Sequence, residues 1–297
     1  MAAREGPRES LARSLAGDRI HSAYLFAGAG EAARATAEWF ARAVACAGAP
    51  AARPCEACAA CRRGTPRESV ALDGTGKNGP LYRHIGDHPD LLWVERGRDD
   101  TRIRIDQIRA VQQTLHLRTV EGGSRVVVIA GAEWLNLAAQ NALLRTLEEP
   151  PPRTHFVLVT ASPSGLAPTV RSRCQRVRFP AERAPAPDAA EAPDATRALA
   201  QRIASLPDQT IPELLDWAEE FRGARAVAAG GVAELLAVAS ACLHSSVCRD
   251  AAESNALGAR LDAWQTLRAC RKALVQRNAN PQLVAERTLL ALREALA

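Results

Sequence analysis

Apolar residues follow two different rhythms along this chain, and the change between them divides it. Between residues 21 and 179, short unbroken apolar runs alternate with stretches of helical spacing. Tyr24-Leu25-Phe26-Ala27, Leu91-Leu92-Trp93-Val94, Val126-Val127-Val128-Ile129 and Phe156-Val157-Leu158-Val159 are of strand length and apolar at every position, as in strands buried on both faces. Helices are predicted at 8–20, with Leu11, Leu15 and Ile20 inward, and at about 32–46. Another starts at Asp106 as N-cap and carries Ile108, Val111 and Leu115 on one face. A fourth covers 132–149, with Leu137, Leu144 and Leu147 on one face, and Pro150-Pro151-Pro152 ends it. Alternating strands and helices predict an α/β domain over residues 1–180, a parallel sheet flanked by helices.

After Phe179 the rhythm changes. Residues 181–210 open on a run rich in Pro, Ala and charge and read as a linker. From 211 to 297 only helical spacing remains, over 212–221, 232–248, 256–277 and 281–296, the last with Pro281 in its first turn. Leu235, Leu236, Leu243, Leu261, Trp264, Leu267, Leu274, Leu283, Leu289 and Leu290 supply the inward positions of an all-α domain.

A strand, a glycine turn at Gly28 and a helix form the setting of a phosphate-binding loop, where backbone N–H groups cradle phosphates. The chemistry is missing. The pattern GxxxxGK[ST] laid on Gly28 puts Ala33 at the second glycine, Arg34 at the lysine and Ala35 at the magnesium-binding hydroxyl. After Val126–Ile129, Ala130 and Gly131 stand where an ATPase carries its Asp-Glu pair. Glu133 lies two residues further on and reads as a first-turn helix carboxylate. No ATP hydrolysis by this chain is expected. Arg34 still leaves weak phosphate contact open.

Cys46, Cys55, Cys58 and Cys61 form C-x8-C-x2-C-x2-C. Four thiolates complete a tetrahedron around Zn²⁺ with no open position, the pattern of a structural site at 46–61. A redox CxxC pair and four buried thiols are the alternatives. Residues 64–87 then read as a polar, glycine-rich insertion.

Composition adds limits. The chain has 297 residues, 47% hydrophobic and 24% charged, which is ordinary for a globular protein. Its net charge of +5 permits contact with a polyanion without requiring it. No apolar run of membrane-spanning length and no signal-peptide core are read, so a cytosolic protein with reduced thiols is expected.

Two blocks carry a family resemblance. Asn141-Ala142-Leu143-Leu144-Arg145-Thr146-Leu147-Glu148-Glu149-Pro150-Pro151-Pro152 and Pro168-Thr169-Val170-Arg171-Ser172-Arg173-Cys174 resemble the subunits of AAA+ clamp loaders. The likeness is strongest over 21–63 and 86–179 and weak over 64–85 and 181–210. It implies an AAA+-type fold with an inserted zinc module, a truncated lid within 181–210 and a helical oligomerisation collar at 211–297. It also implies a hetero-pentamer with the loader's ATPase subunits and the delta subunit, acting on a sliding clamp and primed DNA. Arg173 then matches an arginine finger offered in trans to a neighbour's nucleotide; pairing with Glu148 or Glu149 is the structural alternative. An active motor subunit and a zinc-stabilised structural or DNA-binding protein are the rival functions. The first requires nucleotide binding by the isolated chain, the second indifference to Arg173.

Overall fold

Strands that are apolar throughout need cover on both sides, and the sheet of the first unit has two cores. The computed structural model describes residues 6–28, 31–67, 70–97, 100–120, 123–180, 193–249, 254–276 and 279–296. It divides into two compact units, Met1–Glu182 and Arg183–Ala297. The first unit runs α1 (Pro7–Ala16), β1 (Ala23–Ala27), α2 (Glu31–Ala45), α3 (Ala59–Arg63), β2 (Arg83–His84), β3 (Leu91–Val94) and α4 (Ile105–Leu115). It continues with β4 (Arg125–Ala130), α5 (Leu137–Glu148), β5 (Thr154–Thr160), α6 (Pro168–Arg171) and β6 (Gln175–Arg178). The sheet order is β2-β3-β4-β5-β1-β6, parallel except for β2.

Alternation along the strands assigns each side chain to a core. Tyr24, Phe26, Val126, Val128, Val157 and Val159 pack with Leu11 and Leu15 of α1 and Phe40 of α2. Leu25, Val127, Ile129, Phe156 and Leu158 pack with Ile108 of α4, Leu143 and Leu147 of α5 and Val170 of α6.

The helix expected over 132–149 is split. Gly131 takes a left-handed φ of 70°, a 3-10 turn covers Ala132–Trp134, and the Asn136 side chain caps α5 by accepting from Ala139 N at 2.7 Å. That start sets the helix phase. Ala139, Leu143 and Leu147 face inward, and Leu137, expected in the core, is 70% exposed. At α4, Arg104 is the N-cap residue in place of Asp106, and its N–H donates to Gln107 Oε1.

The insertion is more ordered than a polar loop. Asp73 accepts from the N–H groups of Thr75 and Asn78, which hold its carboxyl down at about 2. Leu72 and Ile85 are buried, and β2 extends the sheet beside β3. The Asp100 carboxylate accepts from Gly74 N at 2.8 Å. Gln107, fully buried, donates to both Leu81 O and Glu95 O at 2.9 Å. Gly86 closes the segment with φ 57°, where a Cβ would lie 2.2 Å from Arg63 O. Gly86→Ala is therefore expected to cost about 1–3 kcal/mol from backbone strain alone, before the clash is relieved. A lowered urea midpoint would show it.

The second unit is helical: α7 (Asp194–Ala204), α8 (Ile211–Glu219), α9 (Arg225–Arg249), α10 (Ser254–Gln276) and α11 (Pro281–Leu296). The stretch 181–210 thus contains α7; its opening run, 181–192, lies outside the described residues. Over Arg225–Val247, α9 is long and apolar enough to cross a membrane by length and composition, contrary to the sequence expectation. Its Val232, Leu235, Leu236, Ala239 and Leu243 are buried inside the unit, as in the core helix of a globular domain. Leu261, Trp264, Leu283 and Leu290, expected inward, are exposed. Arg202 pairs with Glu220 through two hydrogen bonds and lies 4.0 Å from the Trp217 ring centroid.

Candidate functional site

Ligands of parallel sheets meet the carboxyl ends of the strands, and the four residues Gly28, Ala33, Arg34 and Ala35 follow that end of β1. Gly28 follows β1 directly, with its N–H on Thr160 O at 3.0 Å. Its missing Cβ would lie 2.6 Å from Phe179 Cβ, so here glycine serves close packing of the chain against β6's exit. Ala33, in the first turn of α2, is fully buried in the core. Ala35 is exposed and carries no hydroxyl. Arg34 has an anionic partner within the chain. Its Nη2 donates to Glu95 Oε2 at 2.7 Å, just beyond β3.

Glu133 is not a first-turn helix residue. It sits in the 3-10 turn after β4, is buried, and accepts from Ala161 N at 3.3 Å. Arg96, beyond β3, lies over the Trp134 ring at 4.6 Å. Desolvation lowers the Arg96 guanidinium below its usual value despite the nearby charges of Glu133 and Asp100.

Arg173 lies elsewhere, on the turn between α6 and β6. Every residue of Ser172-Arg173-Cys174 bonds back to α6. Ser172 Oγ donates to Thr169 O at 3.1 Å, Arg173 Nη1 to Thr169 O at 2.8 Å and Cys174 Sγ to Val170 O at 3.4 Å. Burial pushes the Cys174 thiol up to about 12, so it stays protonated as an anchor. The outer end of Arg173 pairs with Glu148, the last residue of α5. Of the two carboxylates considered from sequence, Glu148 is the partner. Both side chains remain partly exposed, at 34% and 47%.

The four cysteines predicted to act together do come together. Cys46 follows α2, Cys58 is the N-cap of α3 and Cys61 lies within it. The four Sγ atoms all lie within 4.8 Å of one another. Cys46 and Cys58 Sγ are 3.9 Å apart. A tetrahedral metal with about 2.3 Å metal–sulfur bonds sets its sulfurs about 3.8 Å apart, so the set fits one ion. Main-chain N–H groups point at the sulfurs: Gly48 N and Cys55 N at Cys46, Cys58 N at Cys55 and Cys61 N at Cys58, at 3.2–3.4 Å. Such donors stabilise thiolates. They hold the Cys55 thiol down at about 6, whereas burial raises Cys61 to about 12. The group can bind a metal ion.

The family model described as "DNA polymerase III, delta subunit" matches residues 5–72 and 81–183, more than half of the chain. The chain belongs to the delta-prime family of DNA polymerase III subunits. The residues the family model skips, 73–80, are the tip of the insertion. The DNA polymerase III subunit delta' of Pseudomonas aeruginosa is 34% identical over 214 residues, 70% of this chain and 56% of that protein. The delta' subunit of Escherichia coli is 41% identical over 90 residues, 30% of this chain and 27% of its own length. The match thus spans little more than half of the first of these delta-prime relatives. DNA polymerase III subunit tau of Bacillus subtilis is 31% identical over 175 residues, 58% of this chain and 27% of tau. A DNA polymerase III gamma subunit-related protein from Thermotoga maritima aligns over 98% of this chain and 100% of its own, at TM-score 0.44 and 16% identity. The clamp-loader resemblance carried by residues 141–152 and 168–174 is thereby met, and the delta-prime family is where it leads.

Sequence reasoning missed Glu95 and its neighbours. A single carboxylate two residues after Trp93 at a strand end carries no signal of its own. Only the fold brings it to Arg34.

Proposed function

We propose that this chain is a cytoplasmic, non-hydrolysing clamp-loader subunit that lends Arg173 to a neighbour's ATP. It joins the loader's ATPase subunits and the delta subunit in a hetero-pentamer that places a sliding clamp on primed DNA. Its second unit serves as the oligomerisation collar. The observation that carries this reading is Arg173 itself. A guanidinium stands partly exposed on a turn tied three times to α6, in a chain whose own phosphate loop has neither lysine nor hydroxyl. Arg173 would contribute charge and bidentate hydrogen bonds to the γ-phosphoryl group of the adjacent subunit. The ion pair with Glu148 does not block this role. Glu148 is 47% exposed and meets Arg173 in a single pair between two partly exposed side chains, which is worth little, so the guanidinium can exchange it for a polyphosphate. The test is clamp- and DNA-stimulated ATPase of the reconstituted loader with Arg173→Ala, checking assembly. Unchanged turnover would leave the subunit a scaffold.

The cysteine cluster is read as a structural zinc site held by Cys46, Cys55, Cys58 and Cys61. Zinc supplies a cross-link between the end of α2 and α3 and no chemistry. Elemental analysis is expected to find one zinc per chain, and Cys58→Ser well below one. Chelation should lower the melting temperature and open 46–66 to protease. A metal-free chain of equal stability would reject the site.

A further inference from the structure

Arg34 stands where a working phosphate loop carries its lysine, and the residues around it are arranged as though an anion were already bound. Glu95 Oε2 accepts from Arg34 Nη2 at 2.7 Å and from Trp93 Nε1 at 3.0 Å. The second oxygen, Oε1, lies 3.5 Å from Arg83 Nε. Both guanidiniums rest against the Trp93 ring, Arg83 at 4.8 Å and Arg34 at 5.3 Å from its centroid. Two arginines and an indole N–H thus converge on one carboxylate, a donor set that would also suit a phosphoryl group.

Glu95 is fixed there by more than Arg34. Its carbonyl oxygen accepts from the buried Gln107, which also holds Leu81 of the insertion. The insertion brings Arg83 alongside through the pairing of β2 with β3, Arg83 opposite Trp93. Burial alone would raise the Glu95 carboxyl; hydrogen bonds from Arg34 and Trp93 and the charges of Arg34 and Arg83 outweigh it and hold the group below its usual value. The other carboxylate near Arg34, Glu31 at 3.9 Å, is mostly exposed and competes weakly.

We propose that Glu95 is a built-in anion for Arg34 and Arg83 that keeps phosphates out of this chain. The site is closed by a residue the chain has, in addition to the residues it lacks. The insertion gains a task, since it supplies Arg83 and anchors the strand end that carries Glu95. Removal of the carboxylate leaves two guanidiniums beside an indole, a receptor for a phosphate or polyphosphate. This inference rests on the reading of the chain as one that leaves ATP to its neighbours. The two fail separately, because one is read from anion binding by the isolated chain and the other from turnover of the loader.

The experiment is calorimetric titration of the full chain with inorganic pyrophosphate at low salt. Wild type, Glu95→Gln and Glu95→Gln/Arg34→Gln are compared, with circular dichroism confirming the fold. Glu95→Gln is expected to bind pyrophosphate at least about tenfold more tightly than wild type, since it removes the competing charge while Gln still accepts from Trp93. The gain should weaken with added salt and vanish in the double variant. If Glu95→Gln fails to fold, Glu95→Asp decides, because its shorter side chain retracts the charge from Arg34 and should give a smaller gain. Wild type binding as tightly as the variant overturns the proposal. So does a folded variant with no gain, or a gain that survives loss of Arg34.

Discussion

Arg173→Ala is expected to lower the stimulated ATPase turnover of the reconstituted loader by roughly a thousandfold or more, the effect of removing an arginine supplied in trans. The size follows from where the charge acts. Phosphoryl transfer spreads negative charge over the γ-oxygens, and a positioned guanidinium stabilises that charge in a water-poor interface at no cost of reorganisation. Arg173→Lys should recover only a small part, because an ammonium cannot fork across two oxygens. The loss should fall on kcat more than on KM, since the contact strengthens as the charge develops. The fold of this chain should barely notice, because the pair with Glu148 joins two partly exposed side chains. Loss of assembly with Arg173→Ala would point instead to a structural arginine.

Arg125→Met should unfold the first unit more readily by about 3–5 kcal/mol, the cost of stranding a buried charge. Arg125 and Asp90 are 3% and 1% exposed. Arg125 donates to Asp90 Oδ1 from Nε at 3.0 Å and from Nη2 at 2.7 Å. Its nitrogens also satisfy the carbonyls of Thr114, Leu117 and Arg118 at the end of α4. Asp90 Oδ2 takes the N–H of Val120 at 2.9 Å. One ion pair therefore ties β3, β4 and the loop after α4. The melting temperature should fall by roughly 6–20 °C for a unit of this size. Arg125→Met/Asp90→Leu should recover part of the loss, because no charge is then left unpaired. A single variant within about 0.5 kcal/mol of wild type would show that the network contributes little.

The apolar runs identified four of the six strands because burial on both faces leaves an unbroken signature. β6, with Gln175, Arg176 and Arg178 exposed, has none, and β2 is too short to show one. The cysteine cluster was legible because its four thiols, Cys46, Cys55, Cys58 and Cys61, lie close along the chain as well as in space. Arg125 and Glu95 were not, since their partners lie 35 and 61 residues away. Local pattern also misjudged the start of α5, where Asn136 outcompetes a continuous helix and rotates Leu137 out of the core.

The two lateral margins of the sheet meet their surroundings differently. β2 offers only two residues to an incoming strand, too few for a ladder. β6 is longer but sets Arg176 and Arg178 along its exposed length. Two copies approaching by that margin would bring like charges together, which opposes edge-to-edge pairing.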